Sequence, residues 1–154
     1  HSNGYSLVRK LWGEDLDNLI NYDEELGACP IEVLLTPTKI YVNSILQLIE
    51  NVKVKGIAHI TGGGFIENIP RIFPDGIGCE IDTKAYDLPK VFKVMQQRAE
   101  LTDEEMYNTF NMGIGMVVCV AEEDVTKTIA QLEKTGEDCV VIGKTVRGSG
   151  VSLK

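Results

Sequence analysis

Three glycines follow a threonine at Thr61-Gly62-Gly63-Gly64. They come directly after the apolar run Gly56-Ile57-Ala58-His59-Ile60 and directly before Phe65, Ile66, Ile69, Ile72 and Phe73 at helical spacing. A strand, a turn without side chains and a helix start bring unpaired backbone N–H groups together at a positive helix end, which suits an anion, most often phosphate. Lacking a Cβ, such a turn lets the backbone approach a ligand closely. The spacing is neither the Walker nor the dinucleotide fingerprint, so a tight strand-to-helix turn that binds nothing stays equally open. Glu67 and Asn68 can brace this turn or touch a ligand, and Arg71 can reach a phosphate or pair with a surface carboxylate. His59 is either a hydrogen-bonded core histidine or a group that moves a proton near neutral pH.

The elements that position these residues follow from periodicity. Ser2 or Asn3 can cap a first helix with Tyr5, Val8 and Trp12 on one side. Trp12 reads as packing, or as a surface residue that another domain covers. From Gly13 to Pro30 the chain is acidic and loop-like, and Asp15, Asp17, Asp23, Glu24 and Glu25 read as a solvated surface without metal-ligand spacing. Thr36-Pro37 predicts a helix start, with Tyr41, Ile45, Leu48, Ile49 and Val52 as its buried stripe. Pro70 requires the helix after the glycines to be short or bent. Ile77, Cys79 and Ile81 alternate as a strand with one wet face, and Pro89 opens a helix carrying Phe92, Met95 and Ala99. Thr102-x-x-Glu105 is a capping box for a short helix that Asn111-Met112-Gly113 ends. The run from Ile114 to Val120 reads as a strand covered on both faces. Val125, Ile129 and Leu132 then mark a helix that Gly136 stops, and a strand spans Cys139 to Val146, which Arg147-Gly148-Ser149-Gly150 can turn into a last short one.

The predicted fold class is α+β: one domain over residues 1–154 with a ferredoxin-like βαββαβ core and additional helices at the N-terminus and before the third strand. A right-handed crossover places the end of the first strand beside the beginning of the third. The glycine turn and Asn111-Met112-Gly113 then meet at one edge of the sheet.

Bulk properties narrow the function classes. A formal net charge of −8 argues against nucleic acid or an anionic membrane as partner. No apolar run approaches the roughly 20 residues needed to span a bilayer. The cysteines, Cys29, Cys79, Cys119 and Cys139, are scattered and read as reduced thiols of a cytoplasmic protein rather than a zinc site. The opening His1-Ser2-Asn3-Gly4, without methionine or leader, reads as an excised piece of a longer protein.

Five blocks in order, HSNGYSLVRK, LLTPTKIYVNS, AHITGGGFIENIPRIFP, EEMYNTFNMGIGMVV and VIG, resemble the C-terminal domain of the phosphoribosylformylglycinamidine cyclo-ligase family, also called aminoimidazole ribonucleotide synthetase. The resemblance implies an ATP-dependent, carbon–nitrogen bond-forming ligase of purine biosynthesis, in which ATP phosphorylates the formyl amide oxygen of formylglycinamidine ribonucleotide. An amidine nitrogen then closes the imidazole ring and phosphate leaves. The family's N-terminal domain, absent from this chain, supplies the Mg²⁺ and ATP ligands and most of a homodimer contact, so the chain alone is expected to be inactive, to bind neither stably and to carry no metal ligand.

The same resemblance implies catalytic roles for His1, Asn3, His59 and Asn111. Asn3 and Asn111 can donate and accept toward an amide or amidine, and His1 or His59 can transfer a proton. Thr61, Gly62, Gly63, Gly64, Arg71 and Gly113 are the implied phosphate or substrate binders, leaving open whether the turn takes the substrate phosphate or ATP. Two alternatives stand beside this reading. One is a related superfamily enzyme of the formylglycinamidine synthetase, thiamine-phosphate kinase or selenophosphate synthetase type, and the other is an anion-binding regulatory module without turnover.

Overall fold

The computed structural model describes residues 3–13 and 15–154. Four helices precede the first strand: α1 (Tyr5–Trp12), α2 (Leu16–Ile20), α3 (Pro30–Leu34) and α4 (Val42–Asn51). Then come β1 (Gly56–His59), α5 (Gly64–Asn68), β2 (Ile77–Ile81), α6 (Lys90–Ala99), α7 (Asp103–Thr109), β3 (Met116–Cys119), α8 (Val125–Lys134), β4 (Gly143–Arg147) and β5 (Val151–Leu153). Helices do stand at the front and before the third strand, as expected, but α2 lies within the segment 13–30 that reads as a loop. The core gathers Val8, Trp12, Ile60, Phe65, Ile69, Met106, Phe110 and Met112, each buried. A side chain such as Phe65 contributes roughly 1.5–3 kcal/mol by leaving water, and its ring meets Tyr107 edge-on with centroids 5.2 Å apart.

The strands form two sheets, not one ferredoxin-like sheet. β1 pairs antiparallel with β3, His59 opposite Met116, and the Ile60 N–H donates to the Gly115 carbonyl at 2.9 Å. This is the expected neighbour relation, and it places the glycine turn at the same end as residues 111–113. β2, however, lies between β4, antiparallel, and β5, parallel. Both of its edges are occupied, so it cannot extend the β1–β3 pair as the ferredoxin-like order requires. The cause lies in the link from β4 to β5. Instead of a hairpin, Gly148-Ser149-Gly150 crosses the end of β2, with the Gly148 N–H donating to Gly76 at 2.9 Å. Gly78 makes room for it, because a Cβ there would stand 2.8 Å from the Gly150 oxygen.

Other expectations shift in the first third of the chain. Thr36-Pro37 does not start a helix; residues 36–41 carry neither helix nor strand, and α4 begins at Val42. The unexpected α3, with Pro30 in its first turn, ends just before. Thr36 is tied back to it through its hydroxyl on the Glu32 carbonyl at 3.3 Å. Within α4, Leu48 is buried but Ile49 is 48% exposed, and Val42, Leu46 and Ile49 form an outward stripe. Pro70 ends α5 early, as expected, and a 3₁₀ turn follows at Pro70–Ile72. The capping box at Thr102 and Glu105 forms in full. All four cysteines are free thiols, with Cys79 buried and pushed up to about 11 by its burial and then by Cys119. No helix among the described residues is long and apolar enough to cross a membrane.

The acidic segment is not uniformly solvated. Trp12 is 4% exposed, so it belongs to the core rather than to an outer face, and its Nε1–H donates to Asp23 Oδ2 at 3.0 Å. Arg98 on α6 pairs with Asp23 at 2.8 Å and Glu25 at 2.6 Å, and its guanidinium stands 5.1 Å above the Trp12 ring. Burial would raise the Asp23 pKa, but hydrogen bonds from Arg98, the Leu26 N–H and Trp12 outweigh it and lower the value from 3.8 to about 2. A carboxyl lowered in the folded state stabilises the fold above its unfolded pKa and loses that contribution as pH falls through its folded pKa. Stability of the wild type should therefore decline as pH drops from 3.8 towards about 2. In Asp23→Asn this part of the profile should flatten, with a cost of about 2 kcal/mol at neutral pH from the lost charged hydrogen bonds. Urea melts across that pH range check both.

Candidate functional site

Gly64 is where the turn, the short helix and α7 converge. Its φ of +52° is left-handed, and a Cβ would stand 2.0 Å from the Tyr107 carbonyl oxygen and 2.8 Å from that of Phe110. Only glycine fits such a contact. Asn68 closes the turn from inside: its Nδ2 donates to the carbonyls of Gly62 at 3.0 Å and Gly64 at 2.7 Å, while Thr61 Oγ1 reaches Asn68 Oδ1 at 3.5 Å. Asn68 is thus a brace, one of the two roles open to it. The Gly64 N–H is used on Thr61 O at 3.0 Å, whereas those of Gly62 and Gly63 enter no backbone bond among the described residues. Glu67 leans against Gly63, its carboxylate 2.6 Å from where a Cβ would lie. Arg71 pairs with Glu67 at 3.3 Å on the exposed side, the surface pairing that was its alternative.

The tight packing at Gly64 sets the course of the chain beyond α7. Met112 adopts a left-handed φ of +52° although it is not a glycine, at roughly 1–2 kcal/mol. Asn111 holds that kink, its Oδ1 accepting the Gly113 N–H at 3.0 Å. Asn3 is brought to the same place because its Nδ2 donates to the Thr109 carbonyl at 2.6 Å. Asn3, Asn111 and Gly113 together line one cavity of about 320 Å³, walled by Val8, Phe92, Met95 and Phe110. That volume and mixture of apolar wall with few polar groups is typical of a small-molecule site. His1 lies outside the described residues.

His59 is exposed rather than a core histidine. Its ring meets Tyr41 edge-on, with centroids 6.0 Å apart. The Tyr41 hydroxyl is pushed up by burial and then by the charge of Glu137. Glu137 in turn takes the Lys39 ammonium at 2.6 Å and the Ser44 hydroxyl at 2.6 Å, and Lys39 lines the cavity. Burial pushes the Glu137 carboxyl up, but the bonds from Lys39 and Ser44 bring it below the usual range. Lys39, Glu137 and Ser44 thus form one polar cluster, and Tyr41, within the field of Glu137, meets the His59 ring at the foot of the glycine turn. Lys39 and Tyr41 lie in the block LLTPTKIYVNS but were hidden by its reading as a helix, and Glu137 carried no signal in the sequence. Among the described residues, no three His, Cys, Asp or Glu side chains are placed to hold a metal ion.

This arrangement of helices around small mixed sheets is shared with a solved structure of HypE, a hydrogenase maturation protein from E. coli. The TM-score is 0.60 at 24% identity, over 85% of this chain and 42% of that one, and the likeness is of fold alone. The sequence matches the family described as AIR synthase related protein, C-terminal domain, over residues 1–154, and the chain belongs to that family. A phosphoribosylformylglycinamidine cyclo-ligase of Alkaliphilus oremlandii (strain OhILAs) is 53% identical over 150 residues, 97% of this chain and 44% of the relative. One from Bacillus thuringiensis subsp. konkukian (strain 97-27) is 51% identical over 156 residues, 99% of this chain and 44% of the relative. The chain thus spans less than half the length of these relatives.

Substitution at the turn separates its structural from its open positions. Gly64→Ala should lose about 3 kcal/mol or more, on the order of the largest single-site effects, because strain and a backbone clash act together. Gly62→Ala, with nothing within 4 Å of its Cβ, should stay within about 0.5 kcal/mol of wild type. Thermal and urea melts of the two variants report the difference.

Proposed function

We propose that this chain is the C-terminal half of an ATP-dependent ligase that closes the imidazole ring of formylglycinamidine ribonucleotide to give aminoimidazole ribonucleotide in purine biosynthesis. The observation that carries the proposal is the meeting of Asn3, Asn111 and Gly113, from distant parts of the chain, around one cavity of about 320 Å³. The sequence identity to relatives named as the cyclo-ligase supports it.

In this reading ATP phosphorylates the formyl amide oxygen, an amidine nitrogen attacks the activated carbon, and phosphate departs with that oxygen. The chain's own residues contribute positioning more than nucleophilicity. Asn3 and Asn111 orient the amide and amidine groups, and the apolar wall of Phe92 and Phe110 keeps water from the activated carbon. The Gly62 and Gly63 N–H groups, which enter no backbone bond among the described residues, are the turn's donors for the formyl amide oxygen, while the Thr61 hydroxyl is engaged on Asn68. His59, exposed beside Tyr41, is placed to exchange a proton with solvent at the end of the reaction. Arg71 serves the site only if it leaves Glu67.

In this reading Mg²⁺ and ATP are held mainly by residues of an N-terminal domain outside this chain. The reading includes an N-terminal domain in the same polypeptide, a homodimer built largely through it, and a cytoplasmic location. The relatives' length, of which this chain covers 44%, leaves room for such a domain.

A chimera tests the reading. The N-terminal portion of the Alkaliphilus relative joined to this whole chain should form aminoimidazole ribonucleotide from formylglycinamidine ribonucleotide and ATP, while the chain alone should not. Asn111→Ala in the chimera should lower kcat/KM by about 100-fold, the scale of losing a positioned donor or acceptor. A folded chimera without turnover overturns the cyclo-ligase assignment, and turnover by the chain alone overturns the half-site.

A further inference from the structure

Among the described residues that line the cavity, Lys39 alone carries a charge. It comes from residues 36–41, a segment held by neither helix nor strand bonding. The contact that anchors its head is Glu137, whose Oε2 takes the ammonium at 2.6 Å while Oε1 takes Ser44 at 2.6 Å. The Glu137 side chain is only 12% exposed, whereas that of Lys39 remains 50% exposed. An ammonium carries three donors. One satisfies Glu137, and two remain for a ligand at the cavity rim. The carboxylate therefore acts as a tether that keeps the cation at this rim without exhausting its bonding.

The glycine turn is the competing place for a phosphate monoester, and its electrostatics are poorer. Glu67 lies against Gly63, its neighbouring cation Arg71 is already paired with that carboxylate, and the Gly64 N–H is used internally. A dianion set on the turn would meet the Glu67 charge. Set at the rim it would meet Lys39, with the sugar against Phe92 and Phe110 and the amide-like end towards Asn3 and Asn111.

We propose that Lys39 binds the phosphate ester of the cavity's ligand, so that the cavity rim, not the glycine turn, is the ribose-phosphate subsite. The assignment rests on the ring-closing reading for its ligand class. Lys39 is then a substrate-binding residue, reached by a loop that the sequence pattern had given to a helix.

Amide NMR of this chain, titrated with ribose 5-phosphate and separately with ribose, tests the subsite. Ribose 5-phosphate should shift the amides of Lys39, Asn111 and Gly113 with a dissociation constant on the order of millimolar, and ribose should leave them still. Lys39→Gln should weaken binding about tenfold or more, as loss of a charge-assisted hydrogen bond implies. Lys39→Arg, which keeps the charge and the pairing with Glu137, should stay within about threefold of wild type. Shifts confined to Gly62 and Gly63, an unchanged affinity in Lys39→Gln, or no saturable shift at all would each overturn the subsite. Turnover by the chimera with phosphate bound elsewhere sinks this assignment alone, whereas phosphate on Lys39 with an inactive chimera sinks only the ring-closing reading.

Discussion

Backbone lies directly on backbone where Gly64 meets the carbonyls of Tyr107 and Phe110. No side chain separates the start of α5 from the end of α7, so the two short helices behave as one rigid corner. Short helices have little stability of their own, and this contact, with Phe65 and Met106 buried around it, supplies what they lack. The corner sets the direction in which the chain leaves α7, and so the kink at Met112 and the place of Asn111 and Gly113. Asn3 is fastened to the same corner through Thr109. The cavity is thus an outcome of close packing on its far side.

Much of this was legible because it rests on local chemistry. The capping box at Thr102, the break at Pro70 and the strand-turn-helix around the glycines each follow from residues within a few positions of one another. The pairing of β1 with β3, which brings the glycine turn near Asn111-Met112-Gly113, was expected too, but from a crossover through β2 that the structure does not contain, since β2 lies in the other sheet. The sheet order was not. Whether a glycine-rich link closes a hairpin or steps across a third strand depends on the space above Gly78, and nothing in the link itself encodes that space. The segment 36–41 misled for a related reason: Pro37 suits a helix start, but the segment takes up neither helix nor strand, and its Lys39 pairs with the distant Glu137. Long-range ion pairs of this kind leave no periodicity. Asp23 shows the same limit, since five acidic residues look alike until Trp12 and Arg98 draw in Asp23, with Glu25 as Arg98's second partner.

Two polar networks thus do different work on a similar principle. Around Asp23 the carboxylate joins α1 to α6 and is satisfied from every side, which suits a structural joint. Around Glu137 the carboxylate is equally satisfied, but its partner Lys39 is left half in water at the rim of a cavity. A buried anion that holds an accessible cation in a fixed place reduces the entropy that a long side chain loses on meeting a ligand.

The position of β2 between two later strands also governs how the chain can acquire its structure in time. β2 ends at Ile81, and its partners begin at Gly143 and Val151, so both of its edges wait for more than sixty residues of further chain. On a ribosome adding about 5–20 residues per second, that strand stays without partners for several seconds. Its apolar face, with Cys79 and Ile81, is then open to non-native pairing. The helices α6 and α7, which form from local contacts and emerge directly after it, can shelter it during that interval. The corner at Gly64 can assemble as soon as Phe110 has emerged, so the site end of the molecule takes shape before the sheet at its other side is complete.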